Sequence, residues 1–229
     1  MRLILIGCEY TRKTTLAGHI SKWWKENTGI SSVWHDHCER PFLESSGSEA
    51  EDEAKQVLTM NPTLLEKYTR YMIHYHLNQA FYEDNNHLLI NWYYSDAVYA
   101  PLYYGYGKID AYSDRQAMAR TFDSEVLNIA SDTVLALLKA APDVIRQRRR
   151  ENPHPWCLLK EEHVDQVLER FEEEYTRSGI RRRFILDTTD TTVDRTLRDF
   201  LLQWNPHLTD SNRQALLSHE TLLQALSRR

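Results

Sequence analysis

A short apolar run, Leu3-Ile4-Leu5-Ile6, passes directly into Gly7-Cys8-Glu9-Tyr10-Thr11-Arg12-Lys13-Thr14-Thr15, and a helical pattern begins at Leu16. Few arrangements limit a chain so strongly. A buried strand ending on glycine, then a loop closing on Lys-Thr-Thr at a helix start, aims backbone N–H groups and the positive helix end at one point. That geometry binds phosphate. The spacing follows G-x-x-x-x-G-K-[ST] at every fixed position but one, because Arg12 stands where the second glycine is expected. An arginine there either strains the loop by roughly 1–2 kcal/mol or adds a charge-assisted phosphate contact. The pattern assigns Gly7, Cys8, Tyr10, Thr11, Arg12, Lys13, Thr14 and Thr15 to a nucleotide. Within it, Lys13 reaches the β- and γ-phosphates and the Thr14 hydroxyl holds Mg2+.

Apolar β-type runs alternate with helical patterns along the rest of the chain, the signature of a parallel sheet flanked by helices. The expected strands are Arg2–Ile6, Ser32–His37, His87–Tyr93, Thr133–Ala140 and Arg183–Asp187. The expected helices are Thr14–Lys25, Pro62–Glu83 behind an Asn61 cap, one from Ser113-Asp114 to about Ala130, Asp143–Arg150, Glu161–Ser178 and Thr192–Trp204. Past Pro206, Asp210–Ser227 reads as an amphipathic helix with Leu216, Leu217, Leu222, Leu223 and Leu226 on its apolar side. That face either packs on the domain or makes a homodimer contact. The expected organisation is a domain over residues 1–205 and a helical extension over 206–229.

At 229 residues with 41% hydrophobic content, the chain can bury one large α/β core. A formal net charge of −5 gives no global footprint for nucleic acid or an anionic membrane. The N-terminal apolar run is too short for a signal peptide, and no stretch approaches the roughly 20 apolar residues of a membrane span. Cys8, Cys38 and Cys157 are an odd, scattered set, which predicts reduced thiols and a cytoplasmic location. His35-Asp36-His37-Cys38-Glu39 has no second cluster at zinc-like spacing and is not read as a metal site.

The loop Gly7–Thr15, the strand end Asn91-Trp92-Tyr93, the segment Ser95-Asp96-Ala97-Val98-Tyr99 and the stretch Asp132–Asp190 together resemble the thymidylate kinase-like P-loop kinases, the group of nucleoside monophosphate and deoxynucleoside kinases. The resemblance implies a three-layer α/β/α fold with a five-stranded parallel sheet in the order 2-3-1-4-5, and a mobile lid over about residues 146–160. It implies an ATP-dependent phosphotransferase using Mg2+ and a nucleoside, nucleotide or similar small acceptor. Glu9 stands where the family contacts the acceptor sugar. Asn91-Trp92-Tyr93 departs from the family's Asp-Arg-aromatic signature, losing an acid near Mg2+ and a phosphate-binding arginine.

Phosphoryl transfer needs positive charge around the migrating group. Arg146, Arg149 and Arg150 share a helix face by spacing, and the family's lid arginines fall in this stretch, so Lys13, Arg146, Arg150 and Glu9 are the expected catalytic residues; Arg148 is assigned to the surface. Glu39, Arg70, Tyr71 and Tyr99 are the expected acceptor contacts, and Tyr99–Gly107 reads either as a flexible aromatic wall or as simple packing. A nucleotide-binding regulatory protein with weak or lost transfer is the competing reading, carried by Arg12, Asn91 and Trp92. A kinase acting on a nucleic-acid-borne group is the weaker one, carried by Arg148–Arg150 and Arg181-Arg182-Arg183.

Overall fold

The computed structural model describes residues 1–36, 56–57, 59–78, 86–153 and 158–227. Strand β1 (Arg2–Ile6) lies at the centre of a parallel sheet. It pairs with β3 (His87–Ile90) on one side and β4 (Val134–Lys139) on the other. Beyond them lie β2 (Val33–Asp36) and β5 (Arg183–Asp187), which gives the order β2-β3-β1-β4-β5.

Central parallel strands are covered on both faces, so they read as continuous apolar runs. Along β1 the side chains divide by parity. Ile4 and Ile6 join Leu89, Leu135, Leu137, Phe122, Val126 and Phe171 on one face. Leu3 and Leu5 join Leu88, Ala136, Leu138, Trp24, Phe200 and Trp204 on the other. The first face is covered by helices α3 (Tyr93–Tyr99), α4 (Arg115–Ile129) and α6 (Val164–Arg177). The second is covered by α1 (Lys13–Thr28) and α7 (Val193–Trp204). This is the expected α/β architecture with a parallel sheet between helical layers.

Capping chemistry sets several helix starts. Asn61 Oδ1 accepts from Leu64 N at 3.0 Å ahead of α2 (Pro62–Tyr75), and Asp114 accepts from Gln116 N and Ala117 N ahead of α4. Gly29, at φ 71°, closes α1 through a bond from its N–H to the Lys25 carbonyl. The C-terminal helix α8 (Asp210–Ser227) lies on α1, with Leu216 against the Trp24–Trp204 core while Leu217 faces outward.

Two stretches differ from expectation. Strand β3 ends at Ile90 and not at Tyr93, because Asn91 (φ 61°) and Trp92 (φ 49°) turn the backbone out of extended geometry. Helix α3 starts at once, and a π-helical turn (Ala100–Tyr104) continues it. Of the two readings of this aromatic stretch, packing is the one observed, with Tyr99 fully buried between Tyr103 and Phe171. Helix α2 ends at Tyr75, where the sequence suggested Glu83; residues 79–85 lie outside the described residues.

Candidate functional site

In a sheet of this kind the ligand crevice lies beyond the carboxyl ends of the strands. Three turns meet there: the loop after β1, the Asn91-Trp92 turn after β3, and Thr188–Thr191 after β5. The loop after β1 is closely cradled. A Cβ on Gly7, at φ 149°, would run into the Leu138 carbonyl, so only glycine lets the loop leave the strand here. Its N–H donates to Asn91 Oδ1 at 3.1 Å, tying the first turn to the second.

Arg12 is the N-cap of α1 and sits in the left-handed region, at φ 66° and ψ 28°. The glycine expected at this position would adopt that conformation freely; an arginine does so at a cost of roughly 1–2 kcal/mol. The side chain has its own anchor, a bond from Nη1 to the Thr191 carbonyl at 2.7 Å. Lys13 is buried and its Nζ donates to the Cys8 carbonyl at 2.6 Å. Thr11 Oγ1 donates to the same carbonyl at 2.7 Å. Thr14 and Thr15 face solvent in the first turn of α1, which carries no acidic residue to oppose the positive helix end.

The arginine cluster lies on helix α5 (Pro142–Glu151). Here the geometry reverses the expectation. Arg148 reaches the loop: Nη1 donates to the Tyr10 carbonyl at 3.0 Å and to Thr188 Oγ1 at 3.2 Å, and Nη2 donates to the Thr188 carbonyl. Arg146 is held by Asp143 at 3.2 Å and by Asp165, and Arg150 points outward to Glu161 at 3.3 Å. The reason is the inward anchor of the helix. Ile145 is fully buried, so Arg148 and Arg149, at i+3 and i+4, share its face, whereas Arg146 and Arg150 do not. The sequence signal for this register is Ile145, an apolar residue one helical turn before Arg148. Burial, and then the charge of Arg12, push the Arg148 guanidinium below its ordinary value, so the two cations lie within electrostatic reach of each other.

Glu9 is buried, and its Oε1 accepts from Leu158 N at 3.2 Å and Leu159 N at 3.1 Å. It braces the segment after α5 and leaves Oε1 already engaged. Among the acceptor candidates, Tyr71 is 68% exposed and Tyr99 is wholly buried. Arg70 is paired with Glu66 at 2.6 Å, an ion pair that raises its pKa. Glu39 and residues 154–157 of the expected lid lie outside the described residues. Arg70, Tyr71 and Tyr99, the acceptor candidates among the described residues, do not converge on one point.

A second constellation carried no motif. Arg115, buried on α4, forms ion pairs through Nε with Asp96 Oδ2 at 2.5 Å and through Nη1 with Glu66 Oε1 at 3.1 Å. Tyr106 donates its hydroxyl to Asp96 Oδ1 at 2.7 Å, and its ring lies 5.0 Å from the Arg115 guanidinium. Only the apolar-to-polar break at Ser95-Asp96 hinted at it in the sequence.

Magnesium can be tested against these residues. Thr14 fits, since its side chain stands in the first helical turn. Asn91 does not fit: Gly7 N–H fixes its Oδ1 as the acceptor, so the remaining group is an amide donor, and Nδ2 is buried without a partner. Among the described residues no group of three His, Cys, Asp or Glu side chains could hold a metal, and no helix is long and apolar enough to cross a membrane.

No protein-family model matches the chain, and no curated protein matches it in sequence. Solved structures do. YorR from Bacillus subtilis, in complex with phosphorylated GDP, is 20% identical with a TM-score of 0.55, over 90% of this chain and 99% of that one. Deoxyadenosine kinase from M. mycoides with bound dATP is 16% identical with a TM-score of 0.58, over 90% of this chain and 100% of the other. The same enzyme with dCMP and dCDP gives 15% identity and a TM-score of 0.56 over the same shares. The strand-loop-helix at the centre of the sheet and these likenesses agree: the chain has the fold of the P-loop nucleoside and nucleotide kinases.

Proposed function

We propose that the chain is an ATP-dependent phosphotransferase acting on a nucleoside, a nucleotide or a similar small acceptor. The observation that carries this reading is the partnering of three cations at the loop. Arg12, Lys13 and Arg148 all bond to backbone carbonyls, and among the described residues none forms an ion pair with a carboxylate. Positive charge gathered at a helix N-terminus and bonded to carbonyls, with no carboxylate in direct contact, suits a polyphosphate. An open groove of about 780 Å³ runs beside it, lined by Ala141, Asp187, Thr189, Asp190 and Thr191 at its loop end. It offers room for the nucleoside part.

In the proposed reaction an acceptor oxygen attacks the γ-phosphorus and the bond to the β–γ bridging oxygen breaks. Negative charge grows on the bridging oxygen, and the acceptor proton leaves to a base or to water. Lys13 leaves the Cys8 carbonyl for the β- and γ-phosphates, and Arg148 adds charge from α5. Mg2+ would be held by Thr14 together with phosphate oxygens and water, and would neutralise part of the developing charge. The thymidylate kinase-like type, with Glu9 positioning the acceptor and a cytoplasmic setting, is the finer form of the proposal. It is supported by the resemblance and by the kinases that share the fold.

The test is transfer from radiolabelled ATP across a panel of nucleosides, nucleoside monophosphates and small sugars. Transfer to one acceptor class is expected, and Lys13→Ala should lower it by 10²-fold or more, the scale on which removal of a preorganised charge donor acts. Unchanged turnover in a folded Lys13→Ala protein overturns the assignment. A second reading, a nucleotide-binding regulatory protein, is favoured by Trp92, which fills the turn after β3 with a buried indole. ATP binding without transfer to any acceptor would select it.

A further inference from the structure

The loop is unusual in two matched ways. A cation has been added where glycine is expected, and the turn after β3 offers a donor in place of a carboxylate. We propose that this chain holds the triphosphate tail of its nucleotide with protein cations, Arg12 supplying the added charge, so that binding depends little on Mg2+. The inference rests on the ATP-binding reading above and deepens it.

Four observations carry it. Arg12 keeps a left-handed backbone that glycine would relieve, and its guanidinium is fixed by Thr191 beside that of Arg148. Asn91 is fully buried, and with Oδ1 taken by Gly7 N–H it leaves an unpartnered N–H2 group, which seeks an acceptor and repels a cation. Glu9, the carboxylate of the loop itself, has Oε1 committed to Leu158 N and Leu159 N. Among the described residues no group of three His, Cys, Asp or Glu side chains could hold a metal, and Thr14 stands in the first helical turn as a neutral ligand. With an amide at Asn91 and no cluster of three acidic ligands among the described residues, the charge of the tail falls to N–H groups and guanidinium. Arginine is suited to this, because its fork of donors stays charged and matches phosphate oxygens.

The experiment is calorimetric titration of ATP into the full chain, once with excess Mg2+ and once with EDTA. The wild-type affinity is expected to fall by less than about tenfold in EDTA. Arg12→Gln, which can still reach toward Thr191 but carries no charge, should lose about tenfold in EDTA and less with Mg2+, on the scale of a lost charge-assisted bond. Arg12→Lys should recover part of that loss. Circular dichroism reports whether each variant is folded, and Arg12→Gly serves if Arg12→Gln is not. A wild-type loss above about tenfold in EDTA overturns the inference, as does an Arg12→Gln affinity equal to wild type in both media. Wild-type protein that binds no ATP even with Mg2+ instead sinks the phosphate-binding reading itself.

Discussion

Arginine is used in opposite ways on the two sides of the loop. On the proposed donor side, Arg12 and Arg148 are tied to carbonyls of Thr191, Tyr10 and Thr188, and lie close enough for Arg12 to perturb Arg148. On the α2–α4 side, Arg115 and Arg70 are matched by the carboxylates of Asp96 and Glu66, with Tyr106 and Thr69 completing the set. Carbonyl dipoles orient a guanidinium without cancelling its charge. Carboxylates cancel it. The first arrangement leaves a field for an incoming anion, whereas the second spends its charges on holding α2, α3 and α4 together. Residue type alone does not separate these roles; the partner does.

The comparison breaks most visibly if Arg115 is removed. Truncation to alanine would leave buried Asp96 without a cation and buried Glu66 with Arg70 alone, and cutting one partner from a buried ion network costs about 3–5 kcal/mol. Urea unfolding of Arg115→Ala should show a loss of that order. A loss below about 1 kcal/mol, the range of an exposed ion pair, would mean the cluster is not a structural brace.

The next effect is smaller and falls on binding. Arg148→Ala should weaken ATP binding by about tenfold, while its effect on stability stays below that of Arg115→Ala, at about 1–3 kcal/mol, because the partners it leaves are neutral carbonyls and a hydroxyl. Arg146→Ala, which removes an exposed partner of Asp143 and Asp165, should leave ATP affinity within about twofold of wild type. Parallel titrations of the two variants decide the matter. Equal losses would return the site to the Arg146–Arg150 face that the sequence suggested.

That reversal shows what was legible in the chain. The strand-loop-helix was readable because each step is local: an apolar run, a glycine, a Lys-Thr-Thr helix start. The helical layers were readable from periodicity, and the Asn61 and Asp114 starts from capping. The direction of each α5 arginine depends instead on which turn of the helix is anchored, and Ile145 becomes an anchor only against the folded sheet. The end of β3 differs from its sequence pattern for a related reason. Trp92 and Tyr93 suit a strand by propensity, but the bond between Gly7 N and Asn91 Oδ1 joins residues 84 positions apart and turns the chain early. Arg115 with Asp96 and Glu66 is also a long-range meeting, and buried ion networks have no sequence period.

The finest prediction asks whether the donor side truly lacks an acid partner, since Asp187 lies at the end of β5 near Arg148. Its carboxyl is held below the ordinary 3.8, first by hydrogen bonding from Thr189 and only later in order by the Lys139 and Arg148 charges. Thr189 N donates to Asp187 Oδ1 at 2.8 Å. A depressed carboxylate binds its proton less readily folded than unfolded. Its stabilisation is therefore present above the unfolded pKa of about 3.8 and is lost as pH falls through the lower folded value. Following the Asp187 carboxyl by NMR should show this low titration. Arg148→Ala should shift it slightly upward, by less than Thr189→Pro, which removes the donating N–H. A shift in Arg148→Ala as large as in Thr189→Pro would make Asp187 the counter-ion of Arg148. The donor side would then be neutralised like the α2–α4 side, and the contrast between the two would fail.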